Sequence, residues 1–177
     1  MPSTSTQSRK STTTRSRSAA SRTPDAIKLL TQDHKEVKAL FKEYEKLCKA
    51  EADDSQKQAV AEQICEMLTV HAQIEEELLY PAAHEVLDDA DLVDEATVEH
   101  ASAKDLIEQI QGMQPSDELY DAKVTVLGEY VDHHVKEEEK EMFPKLKKSE
   151  LDLKELGASL MARKTELMGG DAESPVH

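Results

Sequence analysis

Two short stretches of this chain, HAQIEEELLYP from His71 and HVKEEEKEMFP from His134, share a skeleton. Each has a histidine, a glutamate four residues on, a second glutamate beside it, then an aromatic and a proline at matching offsets. Nearly everything between has changed. His71 and Glu75 stand one helical turn apart, as do His134 and Glu138, so each pair shares a helix face. Imidazole and carboxylate on one face are the donors that borderline divalent cations take.

The repeat extends upstream. Asp33-His34, Val37-Lys38 and Leu40-Phe41 correspond to Glu99-His100, Ala103-Lys104 and Leu106-Ile107. His34 precedes His71 by 37 residues and His100 precedes His134 by 34. The chain therefore reads as two copies of a helical hairpin, each with a lone histidine on its first helix and His-x-x-x-Glu on its second. All four histidines fall in the apolar stripe of their helix, so four imidazoles and two carboxylates converge at one level of the core. Burying an unpaired carboxylate costs several kcal/mol or forces it to take a proton. Two divalent ions remove that cost and leave the site nearly neutral. The donor set suits two iron ions, oxo- or hydroxo-bridged, with zinc or manganese less favoured. A ferritin-type site would need Glu-x-x-His on its helices, and the sequence has no such tetrad.

Hydrophobic periodicity supplies the elements that position these groups. Thr23-Pro24-Asp25 reads as a helix start, with a capping hydroxyl, proline at the first helical position and acid at the positive end. The first helix runs to about Ala50 with a stripe of Ile27, Leu30, His34, Val37, Phe41, Tyr44 and Cys48. The second starts at Asp53-Asp54-Ser55, carries Val60, Ile64, Met67, His71, Ile74 and Leu78, and stops near Pro81. Residues 82–90 read as a connector. The third carries Val93, His100, Ala103, Ile107 and Ile110 and ends near Gly112. Ser116 caps the fourth, which carries Tyr120, Val124, Leu127, Val131, His134, Glu138 and Met142 and ends near Pro144. Ser149-x-x-Asp152 opens a shorter fifth helix with Leu153, Leu156 and Leu160, with Gly157 as its weak point. The fold class is all-α: an antiparallel up-down-up-down four-helix bundle with an extra C-terminal helix.

Composition agrees. The 177 residues are poor in Gly and Pro, lack Trp and are rich in helix formers. The net charge of −15 is uneven: five of 22 basic residues lie in residues 1–23, which hold no acid, and the other 17 face 37 acidic residues. Such an acidic body repels nucleic acid and anionic lipid, leaving only weak nucleic-acid contact through the tail. Residues 1–22 are low-complexity Ser/Thr/Arg and are expected to be a disordered solubilising or leader tail. The bundle is placed at residues 23–147, with a C-terminal helix and tail at 148–177. Cys48 and Cys65, displaced by about 12 Å along the bundle axis, are too far apart to bridge. With no apolar run long enough to span a membrane, a soluble cytoplasmic protein is expected.

The ordered set resembles the hemerythrin-like, or HHE cation-binding, domain. The resemblance covers roughly Pro24 to Lys147. It is carried by His34, His71-x-x-x-Glu75-Glu76 leading to Tyr80-Pro81, His100, and His134-x-x-x-Glu138-Glu139 leading to Phe143-Pro144. The resemblance implies a four-helix bundle around a non-heme di-iron centre. Its metal ligands would be His34, His71, Glu75, His100, His134 and Glu138, the two glutamates bridging. Where the family's oxygen carriers have a second histidine on the third helix, this chain has Lys104, and Glu138 stands in for their later aspartate. Four histidines and two glutamates are closer to the di-iron proteins implicated in repair of iron centres and in nitric oxide responses. The implied function is binding or sensing of a small oxidant or diatomic ligand (oxygen, nitric oxide or peroxide), or holding iron. The alternatives are an enzyme that decomposes peroxide or reduces nitric oxide, and iron delivery to an iron-requiring client protein.

The neighbours of these residues read more plainly. Glu76 and Glu139 read as solvated faces. The repeat register selects His134 over His133. His84 and His177 read as exposed. Tyr44, Tyr80, Tyr120 and Tyr130 read as packing residues, any one near the cations being a hydrogen-bonding candidate. Lys38 and Lys104 read as solvated edges, or alternatively as ammonium groups near an open coordination position.

Overall fold

The first helix begins where an aspartate can hold its free N–H groups. The Asp25 carboxylate accepts from the Lys28 amide at 2.9 Å, and α1 runs Ala26–Lys49. The start is thus two residues beyond the proline expected to open it, because the Asp25 carboxylate, not the Thr23 hydroxyl, caps the helix by reaching the amide three residues on. The computed structural model describes residues 23–169. The Ser/Thr/Arg tail expected to be disordered, and His177, lie outside these residues.

Helix α2, Asp54–Ile74, does not stop at Pro81. It passes through a wide π-helical turn, Glu75–Leu79, into α3, Tyr80–Val86. The Tyr80 amide donates to Glu75 O, five residues back, and Pro81 falls in the first turn of α3, where a missing N–H costs little. Most of the expected 82–90 connector is therefore helix. The second hairpin repeats the device. Helix α4 spans Ala90–Gln111, and α5, Tyr120–Glu137, enters a π turn at Glu138–Met142 that leads into α6, Phe143–Lys148. Ser116 does not cap α5. Residues 115–119 are turns, in which Asp117 accepts from the Gln114 amide at 2.8 Å.

Helix α7, Leu153–Leu167, starts at Asp152, whose carboxylate accepts from the amides of Lys154 and Glu155. Gly157 is needed rather than merely tolerated. A Cβ there would lie 2.4 Å from Pro24 O and 2.7 Å from Ala26 N. Without one, α7 crosses the start of α1 and buries Leu160 completely.

In the bundle α1 neighbours α2 and α5, α4 completes the ring against the same two, and α7 lies over α1, α2 and the first π turn. The apolar core is split. One cluster, with Leu30, Ile74, Leu79, Val93, Met142 and Leu146, fills the end covered by α7. Another, with Val37, Ile64, Ile107, Val124 and Leu127, fills the opposite end. Between them lies a buried polar layer of Asp33, His34, His71, Glu75, His100, His134 and Glu138. Cys48 and Cys65 are free thiols. Among the described residues no helix is long and apolar enough to cross a membrane.

Candidate metal centre

Each long helix gives one histidine to the polar layer, and each π turn opens on one glutamate. The two hairpins are pseudo-equivalent, so the groups meet in two sets. On one side the Nε2 atoms of His34 and His71 lie 3.2 Å apart, and on the other those of His100 and His134 lie 3.1 Å apart. Both glutamates reach across. Glu75 sets Oε1 2.9 Å from His71 Nε2 and Oε2 3.1 Å from His100 Nε2. Glu138 sets Oε2 3.3 Å from His34 Nε2 and Oε1 3.5 Å from His134 Nε2. All six residues selected from the sequence are therefore in one buried layer, with donor atoms of His34, His71, Glu75 and Glu138 within 4.8 Å of one another, and those of Glu75, His100 and His134 likewise.

Does such a layer fit cations? Glu75 Oε1 and Glu138 Oε2 are buried with no hydrogen-bond partner. An orphaned carboxylate oxygen in a dry core costs free energy that a cation would recover. Four imidazole Nε2 atoms and two spanning carboxylates match the donor chemistry of borderline divalent ions.

The far sides of three of the four rings are tethered, and Glu139, read as a solvated face, is one of the partners. His71 Nδ1–H donates to Asp33 Oδ2 at 3.0 Å, and His34 Nδ1–H to Glu139 Oε1 at 3.0 Å. His134 Nδ1–H donates to Glu99 Oε2. Glu76 Oε1 lies 3.9 Å from His100 Nδ1, which has no hydrogen-bond partner. In the repeat the acid before each lone histidine serves the paired histidine of the same hairpin. The second glutamate of each doublet faces the lone histidine of the other. The sequence displayed this as Asp33-His34 beside Glu99-His100 and as two Glu-Glu doublets, but its meaning needed the hairpins to be docked. Such outer acids fix the tautomer and aim Nε2 inward.

Tyr80, grouped with the packing tyrosines, belongs to the site. Its hydroxyl lies 3.0 Å from Glu138 Oε1 and 3.2 Å from Glu75 Oε2, donating to these carboxylates, and 3.1 Å from His100 Nε2. Burial, Glu75 and Glu138 raise its pKa well above the phenol range, so the proton stays. Phe143, its counterpart, stacks parallel to His34 with ring centres 6.0 Å apart and offers no hydroxyl. Tyr44 and Tyr120 lie in the apolar cluster at the opposite end, and Tyr130 lines the small cavity beside the layer. Tyr44 donates to Asp121 at 2.6 Å, and Tyr130 is half exposed.

Around the layer, Asp33 is pulled two ways. Burial pushes its pKa up, but bonds from His71 and Lys164 outweigh that and hold it below the usual value. Lys104 pairs with Glu76, and Lys38 lies 3.5 Å from Asp132. His133 points to the exposed side, 3.2 Å from Glu137 and 3.5 Å from Glu99. His84 lies 3.3 Å from Asp94, both largely exposed. A small cavity of about 40 Å³ opens on the layer, lined on its apolar side by Val37, Met67, Leu68, Ala103, Ile107 and Val131.

Comparison with known proteins agrees with this geometry. Residues 25–146 match the family described as the hemerythrin HHE cation binding domain. A DNA nickase of Nostoc sp. is 34% identical over 116 residues, covering 65% of this chain and 31% of the relative, so the chain spans about a third of that protein's length. The crystal structure of an HHE cation-binding domain-containing protein from Mycobacterium kansasii shares the fold. The TM-score is 0.68 at 24% identity, over 82% of this chain and 88% of that one.

Proposed function

The chain belongs to the hemerythrin HHE cation-binding domain family, and on that premise we propose that it is a non-heme di-iron protein that binds or senses a small oxidant or diatomic ligand. The observation that carries the proposal is the pair of orphaned, fully buried carboxylate oxygens, Glu75 Oε1 and Glu138 Oε2, facing inward-pointing imidazoles. His34, His71, His100 and His134 would hold the ions, with Glu75 and Glu138 spanning them. When bound, such ions supply Lewis acidity and reversible redox change.

The protein's own residues do the rest. Asp33, Glu139 and Glu99 hold His71, His34 and His134 with Nε2 inward. Tyr80 keeps one proton between two carboxylates. The cavity has room for a few small molecules at most, since one water takes about 10–15 Å³ by the same measure. Its apolar wall favours an uncharged occupant such as oxygen or nitric oxide over a large polar one. A second reading, peroxide decomposition or nitric oxide reduction, uses the same layer, and iron delivery to a client protein is a third. The Nostoc relative is named for nicking DNA. With 37 acidic residues against 17 basic ones beyond residue 23, the body of this chain repels a phosphate backbone, and DNA cleavage is not part of the proposal.

The test is metal analysis of iron-loaded protein together with near-ultraviolet absorption. Two iron ions per chain with the charge-transfer bands of a bridged ferric pair are expected. Glu75→Gln and Glu138→Gln are expected to lower affinity by at least about 10- to 100-fold, since even outer partners of such ligands have effects of that size. Full retention of two ions in both variants would refute the ligand assignment. Steady-state peroxide consumption separates the readings: stoichiometric oxidation favours binding, and sustained turnover favours the enzyme.

A further inference from the structure

The hairpins repeat, yet the two halves of the layer are not equal. On the His34–His71 side, the four donor atoms that face one another include the two orphaned carboxylate oxygens. On the His100–His134 side, the Tyr80 hydroxyl already sits within 3.5 Å of both Nε2 atoms, Glu75 Oε2 and Glu138 Oε1. The outer tethers differ in the same sense. His34 and His71 both find an acid at 3.0 Å. Of the other two, only His134 has an Nδ1 partner, and the buried His100 Nδ1 has none.

The acids behind the two paired histidines differ too, whereas Glu139, behind His34, is itself 36% exposed. The Asp33 side chain is 4% exposed, and its second oxygen is held by Lys164 Nζ at 2.6 Å. The Glu99 side chain is 27% exposed and lies beside Glu137 and the exposed His133. Lys164 belongs to α7, outside the residues 25–146 that match the family. A buried carboxylate with no partner for its outer oxygen would turn outward. The ammonium, 2.6 Å from Oδ1, holds Asp33 turned so that Oδ2 faces His71 Nδ1.

We infer that the two cation positions are unequal, the His34–His71 position being the tighter, and that Lys164 is a positioning residue for it, acting through Asp33 on His71. The inference rests on the two-cation reading above. The C-terminal helix thereby sets how firmly one of two pseudo-equivalent sites holds its ion, and the side whose paired histidine is backed by the more exposed Glu99 releases first.

The experiment uses the full chain loaded with ferrous ion under anaerobic conditions, followed by release to an excess chelator. Wild type is expected to hold two ions and lose them in two phases of equal amplitude. Lys164→Gln is expected to speed the slow phase about tenfold, at the low end of the range for outer partners of metal ligands, and to leave the fast phase alone. Lys164→Arg is expected to restore the slow phase, and Glu99→Gln to speed only the fast one. In the metal-free protein, the His71 Nδ1 proton resonance should persist in wild type and Lys164→Arg and be lost or shifted upfield in Lys164→Gln, with that of His134 unchanged. Asp33→Asn carries the same expectation as Lys164→Gln and replaces it if that variant loses its helical spectrum. Two ions leaving in a single phase, or a slow phase indifferent to both variants, would overturn the inference while the two-cation reading stands. A wild type that holds fewer than two ions would overturn both.

Discussion

Tyr80 follows the first π turn and sets its hydroxyl into the buried polar layer. Periodicity ranks a buried aromatic after a helix turn as packing, because a hydroxyl carries no periodic signal of its own. Its hydroxyl instead lies between two buried carboxylates, 3.0 Å from Glu138 and 3.2 Å from Glu75. Tyr80→Phe should therefore destabilise the metal-free protein by about 1–3 kcal/mol, the cost of leaving a buried acceptor unpaired. The loss should shrink once cations engage the same oxygens. Paired thermal melts with and without metal measure the difference, and an equal loss in both forms would place the hydroxyl's contribution elsewhere. Placing the six principal side chains in one layer needed only their residue types and register. The tethers did not follow, because Glu76 and Glu139 touch the opposite hairpin and no single-helix pattern reports that.

Helix assignment failed at the prolines for a related reason. A proline inside an apolar period reads as a stop, yet Pro81 and Pro144 each follow a π turn and lie in the first turn of the next helix. The wide turn also puts Leu79 and Tyr80 fully inside and leaves Leu78 only partly buried. π turns concentrate at functional sites, and both here begin at the glutamate that enters the polar layer. Gly157 shows the converse, where a residue counted against a helix permits its docking. Gly157→Ala gains about 1 kcal/mol of helix propensity. It also drives a methyl group to within 2.4 Å of Pro24 O, a backbone atom with little room to give. Overpacking of that kind costs about 1–3 kcal/mol, so net destabilisation is expected, with faster hydrogen exchange across Leu153–Leu167. Undiminished protection there would mean that α7 docks independently of the close approach.

At the scale of the whole molecule, the bundle is an insulated box for charge, and its proton content is linked to its metal content. Burial alone would lower the pKa of His71, but Glu75 and the Asp33 bond outweigh it and raise it to about 10. For His134 burial is likewise overcome, by bonds to Glu138 and Glu99, and its pKa rises to about 11. Glu75 and Glu138 are held below their usual value: burial raises both, and the imidazoles prevail. The metal-free layer at neutral pH thus sets two imidazolium groups beside two carboxylates, close enough for charge attraction but without an aligned hydrogen bond at Glu75 Oε1 or Glu138 Oε2. The histidine contribution to stability is fully present below the unfolded pKa of about 6.5 and is lost as pH climbs through about 10 to 11. The carboxylate contribution is present above about 4.5 and is lost as pH falls through the lowered folded values. Cations need neutral imidazole, so loading must expel the two protons. Titration calorimetry at pH 7 in buffers of different ionisation enthalpy should register release of about two protons per loaded chain, and affinity should climb roughly 100-fold per pH unit near neutrality. Metal uptake without proton release, and with affinity flat across pH 6–8, would mean that the metal-free layer holds no such protons, its imidazoles being neutral and its carboxylates ionised.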